Sequence, residues 1–156
     1  LTGMQGDVMK ESMNVALTLA WNLTHINIKN KLLNNEEFKD NGIHIHCPEN
    51  SVHKDGPSAG TAITCALFSL INGLKIKNDI AITGEITLDG KITEIGGLNM
   101  KILGGIKAGI KTFIIPKENK KDYDEFIEKY NDEILDKNII FHLLTNIEEV
   151  FEYVFQ

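Results

Sequence analysis

One serine and one lysine stand where their side chains could carry out acyl transfer. Ser58 follows a proline and precedes two small residues in the segment 54–60, just before the apolar run 61–67. Lys101 lies inside a second apolar pattern that follows two consecutive glycines. A serine hydroxyl is a poor nucleophile at neutral pH, and a lysine amine held beside it in a water-poor site can serve as its base. Ser58 and Lys101 are therefore a candidate nucleophile and base.

Both residues also have a purely structural interpretation. Gly-Pro-Ser before an apolar run is an ordinary helix start, with Ser58 as the N-cap. A lysine on an amphipathic helix usually points to solvent. Spacing alone favours the structural interpretation of Ser58, so the choice depends on the rest of the chain.

Several blocks along the chain favour the catalytic interpretation. They are 1–12 (LTGMQGDVMKES), 43–49 (IHIHCPE), 54–60 (KDGPSAG), 83–90 (TGEITLDG), 96–101 (GGLNMK) and 114–119 (IIPKEN). In order and with few gaps, they resemble the proteolytic domain of Lon, the ATP-dependent protease. The resemblance implies a serine-type endopeptidase that degrades unfolded polypeptide through an acyl-enzyme, with Ser58 as nucleophile and Lys101 as base. It also implies that Thr83 orients the Lys101 amine by a hydrogen bond.

The neighbours of Lys101 bear on whether its amine can accept a proton. The amine must be neutral to do so, and burial among apolar groups favours the neutral form. Met100, Ile102 and Leu103 predict such an apolar setting. Where bacterial members of the family usually carry Lys-Glu, this chain has Asn99 and Met100, which removes two charges beside the site and puts its substrate preference in question.

The residues directly before Ser58 are candidates for stabilising an oxyanion. The backbone of Asp55 and Gly56, together with the Ser58 N–H and the start of the following helix, could supply the hydrogen-bond donors. The Asp55 side chain could instead fix the loop or contact Lys101, and an ordinary turn residue is as common an outcome for an Asp-Gly pair.

Histidine is the usual base for a serine, and five are present, at positions 25, 44, 46, 53 and 142. His53 is near Ser58 in sequence, but in a loop it is expected to be solvated. His44 and His46 share one face of a predicted strand, which is half of a metal site. Because no third ligand has suitable spacing, a structural or substrate-facing pair is the favoured interpretation.

Two other classes of function compete with the peptidase. The loop 56–60 could cradle phosphate at a helix N-terminus, as in a small-molecule kinase of related fold. The chain could also be a non-catalytic domain that only closes a ring. No metal or cofactor is expected to act in this domain. The resemblance implies that a separate ATPase domain uses ATP and Mg, and the absence of a P-loop motif indicates that this chain alone does not bind ATP.

Composition predicts one compact domain. The chain has 156 residues, is 42% hydrophobic and carries a net charge of −6, with its lysines scattered, so nucleic acid is not an expected partner. No apolar stretch is long enough for a membrane span. Cys47 and Cys65 are expected to be reduced thiols in a reducing compartment. The resemblance extends over 1–156 as a proteolytic domain without its preceding segment or ATPase domain. It implies a homo-oligomer, a hexameric ring in the full protein, located in the matrix of a mitochondrion or other organelle or, alternatively, in bacterial cytoplasm.

Periodicity predicts an α+β domain with a mixed sheet and packed helices, and the resemblance implies the Lon proteolytic fold, which is ribosomal S5 domain 2-like. Helices are predicted at 8–22, 57–70, 97–108, 120–130 and 147–155. Strands are predicted at 42–47, 79–83, 85–88, 91–95, 112–115 and 139–144, with a two-residue hairpin turn at Asp89 and Gly90. The polar segment 28–41 is predicted to be a loop with at most a short helix around Glu36–Phe38.

Overall fold

The computed structural model describes residues 1–49, 51–135 and 138–156. Over these ranges the chain forms seven α-helices, one 3₁₀ turn and five strands. In chain order these are α1 (Asp7–Leu23), α2 (Ile26–Leu33), α3 (Glu36–Asn41), α4 (Gly60–Asn72), β1 (Ile80–Ile82), β2 (Glu85–Ile86), β3 (Ile92–Thr93), α5 (Leu98–Lys107), β4 (Thr112–Pro116), the 3₁₀ turn (Lys117–Asn119), α6 (Lys120–Leu135), β5 (Ile140–Leu144) and α7 (Ile147–Val154).

The strands form two small sheets. β4 lies at the centre of a parallel sheet of order β1-β4-β5, and β2 pairs with β3 in a separate antiparallel hairpin. Phe113, Ile114 and Ile115 in β4 are all buried, as expected for a strand that is covered on both faces. The α+β prediction is confirmed, with the parallel and antiparallel pairs divided between two sheets.

Alternate residues of β4 pack into two different cores, because successive side chains of a strand point to opposite faces. Ile114 joins a cluster built mainly from α1, α4 and α7. Phe113 and Ile115 join a second cluster with residues of α5 and α6, including Phe126. The helix that follows Ser58 and the helix that carries Lys101 therefore pack with different core clusters that meet at β4.

The loop predicted over 28–41 is wrong for its first part, where α2 lies, whereas α3 occupies the place of the short helix allowed around Glu36–Phe38. Each begins at a side-chain cap: His25 Nδ1 accepts from the Asn27 N–H at 3.2 Å, and Asn35 Oδ1 accepts from the Phe38 N–H at 2.9 Å. Neither helix contains a fully buried residue, although Ile28 and Leu32 of α2 pack against the core. The strand predicted at 42–47 reduces to a single parallel bridge between Thr2 and His46.

Two boundaries also differ from the prediction. α4 begins at Gly60, three residues later than expected, and residues 57–59 form a turn before it. In the hairpin, the Thr87 N–H donates to the Lys91 carbonyl at 3.0 Å, which leaves a three-residue loop. Gly90 closes that loop with φ +83°, the left-handed conformation that glycine adopts without strain. None of the described helices is long and apolar enough to cross a membrane.

Candidate active site

Ser58 lies in the turn immediately before α4. Its carbonyl oxygen accepts hydrogen bonds from the Gly84 N–H at 2.9 Å and from the Thr83 hydroxyl at 3.2 Å. The N-cap of α4 is Ala59, which makes no side-chain capping bond, so the interpretation of Ser58 as the N-cap is wrong. The backbone of Ser58 is fixed by the chain between β1 and β2, and its hydroxyl is left for another partner.

That partner is Lys101, the fourth residue of α5. Its Nζ lies 2.9 Å from Ser58 Oγ, although the two residues are 43 positions apart in the chain. At this distance the two groups share a hydrogen bond, which is the contact that proton transfer between them requires. The structure thus brings together the two residues that the sequence analysis paired.

The apolar enclosure predicted for Lys101 is wrong for the chain by itself. The Lys101 side chain is exposed, and that of Met100 is 74% exposed. The reason is the orientation of α5, which buries only Leu98 and Ile102. Lys101 therefore stands at the rim of the site, and only its amine reaches the serine.

An apolar cleft of about 230 Å³ lies beside the pair. Most of its lining is hydrophobic and includes Ala59, Ala62, Ala81, Leu98, Ile102 and Phe113. Lys101 is the cation among its lining residues, and Ser58 and Thr83 supply hydroxyls. A cleft of this chemistry suits an apolar side chain placed next to a nucleophile, whereas a phosphate site needs several converging donors or cations.

Two of the predicted supporting residues make contacts other than the expected ones. Thr83 donates to the Ser58 carbonyl rather than orienting the Lys101 amine, so the predicted hydrogen bond is wrong. The Gly56 N–H donates to Asp55 Oδ1 at 2.8 Å and is thereby engaged within its own loop, so it is not a free oxyanion donor. Gly56 has φ +111°, where a side chain would be strained, and this accounts for the glycine.

Asp55 fixes the loop, which was one of the alternatives left open. Its Oδ1 accepts the N–H groups of Met9 and Gly56 at 2.9 and 2.8 Å. These two backbone donors, the Met9 N–H foremost, hold the pKa of the Asp55 carboxyl below its ordinary value. The side chain ties the nucleophile loop to the start of α1 and does not contact Lys101.

Comparison with known proteins decides the family. The model of the Lon protease (S16) C-terminal proteolytic domain matches residues 1–156. This chain belongs to the Lon proteolytic domain family. It is 43% identical over 152 residues to Lon protease of Fervidobacterium nodosum, 41% identical over 155 residues to Lon protease of Treponema pallidum, and 42% identical over 156 residues to Lon protease of Haemophilus influenzae. These alignments cover 97%, 99% and 99% of the chain but only 17%, 17% and 18% of the relatives.

The histidines lie apart from the pair in this Lon proteolytic domain. His44 Nε2 and His46 Nδ1 are 2.9 and 2.7 Å from the Thr2 hydroxyl oxygen, so the two rings share one partner. Among the described residues no group of three or more His, Cys, Asp or Glu side chains could hold a metal ion. His53 is exposed in the loop before Asp55, and the Ser58 hydroxyl is held by Lys101 instead.

Two further features of this Lon proteolytic domain are its free cysteines and two hydroxyl side chains near Ser58. Cys47 and Cys65 are both free, and burial raises the pKa of Cys65 to about 12, which keeps this thiol unreactive. Sequence analysis missed the Ser12 hydroxyl, which donates to the Pro57 carbonyl at 3.4 Å, and the Thr61 hydroxyl, which donates to the Gly84 carbonyl at 2.9 Å. Both steady the chain around Ser58. The only signal for Ser12 is its place in the opening block.

Proposed function

We propose that this chain is the peptidase unit of a Lon-type protease, with Ser58 as nucleophile and Lys101 as general base. The observation that carries the proposal is the 2.9 Å contact between Lys101 Nζ and Ser58 Oγ beside an apolar cleft. A serine needs an adjacent base to attack a peptide carbonyl, and Lys101 is the group in position to accept its proton.

The reaction proceeds in two steps. Neutral Lys101 takes the proton of Ser58 as Oγ attacks the substrate carbonyl, and then gives that proton to the leaving amine, which produces the acyl-enzyme. Water, deprotonated by the same amine, hydrolyses the ester. The Ser58 N–H donates to no described residue, so it is available to stabilise the oxyanion.

The exposure of Lys101 gives the substrate a second role. A polypeptide bound across the cleft covers the rim at Lys101 and Met100 and excludes water, which strengthens the hydrogen bond between the Lys101 amine and the Ser58 hydroxyl. Catalysis then depends on occupancy of the cleft, and labelling of Ser58 in the empty site by a small electrophilic probe is expected to be measurable but slower than acylation by a bound polypeptide.

The chain spans only 17–18% of the length of the relatives named above. We propose that the full protein degrades unfolded or damaged polypeptides and uses ATP and Mg in a separate ATPase domain, and that 1–156 acts as its proteolytic domain without a cofactor of its own. We propose a homo-oligomer, with a hexameric ring as the expected form, and no membrane or nucleic-acid partner for this domain. The relatives named above are bacterial, which favours bacterial cytoplasm over the predicted organelle matrix.

A serine-directed probe tests the assignment. The chain is incubated with a fluorophosphonate, and the labelled residue is identified by mass spectrometry. We expect one label, on Ser58, and none in Ser58→Ala or Lys101→Met. Ser51→Ala, which removes an exposed serine of the preceding loop, is the matched control and should label normally. If Ser58 is not labelled, its assignment as nucleophile is rejected, and the alternative of a non-catalytic assembly domain remains. Tight nucleotide binding would instead favour the small-molecule kinase.

A further inference from the structure

The segment 112–119, which comprises β4 and the 3₁₀ turn, is connected to both halves of the site. On the serine side, the Thr83 N–H donates to the Ile114 carbonyl at 3.1 Å. Thr83 and Gly84 in turn hold the carbonyl of Ser58. The position of the nucleophile is therefore fixed with respect to β4 by a short run of hydrogen bonds.

On the lysine side, the connection is made by Asn119. Its side chain is 1% exposed, and it grips both backbone groups of Ile95: Oδ1 accepts the Ile95 N–H at 3.0 Å, and Nδ2 donates to the Ile95 carbonyl at 2.9 Å. The remaining Nδ2 hydrogen is donated to Asp122 at 2.7 Å, which fixes the orientation of the amide. One orientation of the Asn119 side-chain amide satisfies all three hydrogen bonds.

Ile95 lies two residues before Gly97, the N-cap of α5. Gly97 is in the left-handed conformation and makes no side-chain capping bond, and its carbonyl accepts the Lys101 N–H at 3.2 Å. The start of α5 thus has no cap of its own. The packing of Leu98 and Ile102 holds α5 against the core, but apolar contacts resist sliding along the helix axis less sharply than hydrogen bonds do.

We propose that Asn119 is a positioning residue for Lys101. Its amide fixes Ile95, and Ile95 in turn fixes the start of α5 at the position along the helix axis that brings the lysine amine to Ser58. Because Ser58 is tied to Ile114 and Ile95 to Asn119, one rigid segment sets the separation of nucleophile and base. The inference rests on the proposed function, and its consequence is that losing the amide slows chemistry more than it weakens substrate binding.

Asn119→Ala tests the proposal, with Asn72→Ala as its matched control. Asn72 Nδ2 also makes two hydrogen bonds, to Thr24 and to the Phe68 carbonyl, but it lies at the far end of α4. That end is about 18 Å from the start of the helix. Both variants are expected to lower the melting temperature. Only Asn119→Ala should slow fluorophosphonate labelling of Ser58, by at least tenfold, and reduce kcat on a peptide at a KM within twofold of wild type.

A reciprocal exchange separates the amide network from general destabilisation. Asn119→Asp alone places a carboxylate against Asp122 and the Ile95 carbonyl and should be slower than Asn119→Ala. Adding Asp122→Asn restores a side-chain hydrogen bond of reversed direction and keeps the bond from the Ile95 N–H, so part of the labelling rate should return. Equal rates in the single and double variants would contradict the network.

A crystal structure of Asn119→Ala distinguishes failure of this inference from failure of the peptidase assignment. We expect Lys101 Nζ to lie beyond 3.5 Å from Ser58 Oγ, compared with 2.9 Å in the parent chain. If wild type does not label at all, the peptidase assignment fails, and this distance alone decides the role of Asn119. An unchanged distance, or labelling of Asn119→Ala at the wild-type rate, would overturn the inference.

Discussion

The Asp55 side chain caps a helix that begins 48 positions earlier in the chain, since its Oδ1 accepts the Met9 N–H of α1 at 2.9 Å. The N-cap of α1 is Gly6, which has no side chain to offer. A Cβ atom on Gly6 would lie 2.3 Å from Asp55 Cγ, so the glycine leaves the space that the carboxylate occupies. The Asp55 carboxylate consequently holds the loop before Ser58 against the start of α1.

The Asp55 contact predicts a pH-dependent contribution to stability. Because backbone donors lower the pKa of Asp55 in the folded state, the contribution is present above its ordinary value of 3.8 and is lost as the pH falls through the lower, folded-state pKa. Asp55→Asn should therefore melt below wild type at pH 7, and the difference should shrink towards pH 2. Thermal unfolding followed by circular dichroism measures it.

The matched control is Glu128→Gln, which neutralises an exposed carboxylate on α6. Other carboxyls with lowered pKa values, such as Asp89 and Glu149, are common to both proteins and cancel in the comparison. A melting difference between wild type and Asp55→Asn that stayed constant from pH 7 to pH 2 would show that the charge of Asp55 is not what holds α1.

Thr83→Val should reduce activity modestly. The substitution removes the hydrogen bond from the Thr83 hydroxyl to the Ser58 carbonyl, but the Gly84 N–H still holds that carbonyl at 2.9 Å. Loss of one such bond costs about 1 kcal/mol, which is about fivefold in rate if it is expressed fully at the transition state. Steady-state peptide hydrolysis measures the loss, and Thr83→Ser should keep most of the rate. A loss as complete as that of Lys101→Arg would place Thr83 in direct contact with the reacting groups.

Periodicity was sufficient to predict the elements that bury a face. The predicted helix 8–22 corresponds to α1, and the predicted 97–108 and 147–155 correspond to α5 and α7 within about one residue at each end. The helix predicted at 120–130 corresponds to α6. Its predicted end, Tyr130, has non-helical φ and ψ, and α6 continues beyond it to Leu135. α2 escaped prediction, and α3 was predicted only as a possible short helix around Glu36–Phe38, because both helices bury no residue completely and depend on caps at His25 and Asn35, which also occur in loops.

The pairing of Ser58 with Lys101 was predictable from motif blocks, but the surroundings of the pair were not. The apolar neighbours of Lys101 in sequence say nothing about which side of α5 meets the sheet, and the structure turns Leu98 and Ile102 inward instead. Whether the Thr83 hydroxyl donates to the Ser58 carbonyl or bonds to the Lys101 amine likewise depends on tertiary structure, which the local sequence does not reveal.

Asn99 carries an unpaired buried oxygen, and removing it should stabilise the domain. Its Oδ1 has no hydrogen-bond partner among the described residues. Burying an unpaired acceptor costs about 1–3 kcal/mol, and leucine is also the better helix former. Asn99→Leu should therefore raise the free energy of unfolding in urea by at least about 1 kcal/mol. Asn27→Leu, at the equivalent second position of α2 but exposed, gains only the helix propensity and is the control. Equal gains in the two variants would show that the Asn99 oxygen finds a water or another donor.

Lys101→Met and Lys101→Arg should both be inactive, for different reasons. Methionine has no group that can accept the Ser58 proton, and a guanidinium stays protonated and cannot accept it either. Burial of a lysine would have made Lys101→Met more stable than wild type, but the side chain is exposed, so both variants should unfold within about 0.5 kcal/mol of wild type. Peptide hydrolysis and denaturant unfolding, measured on the same preparations, separate the two effects. Lys107→Met, at the other end of α5 and also exposed, is the control that should retain full activity. Near-normal turnover by Lys101→Arg would mean that the serine proton leaves by another route, and His53 would then be the first base to replace.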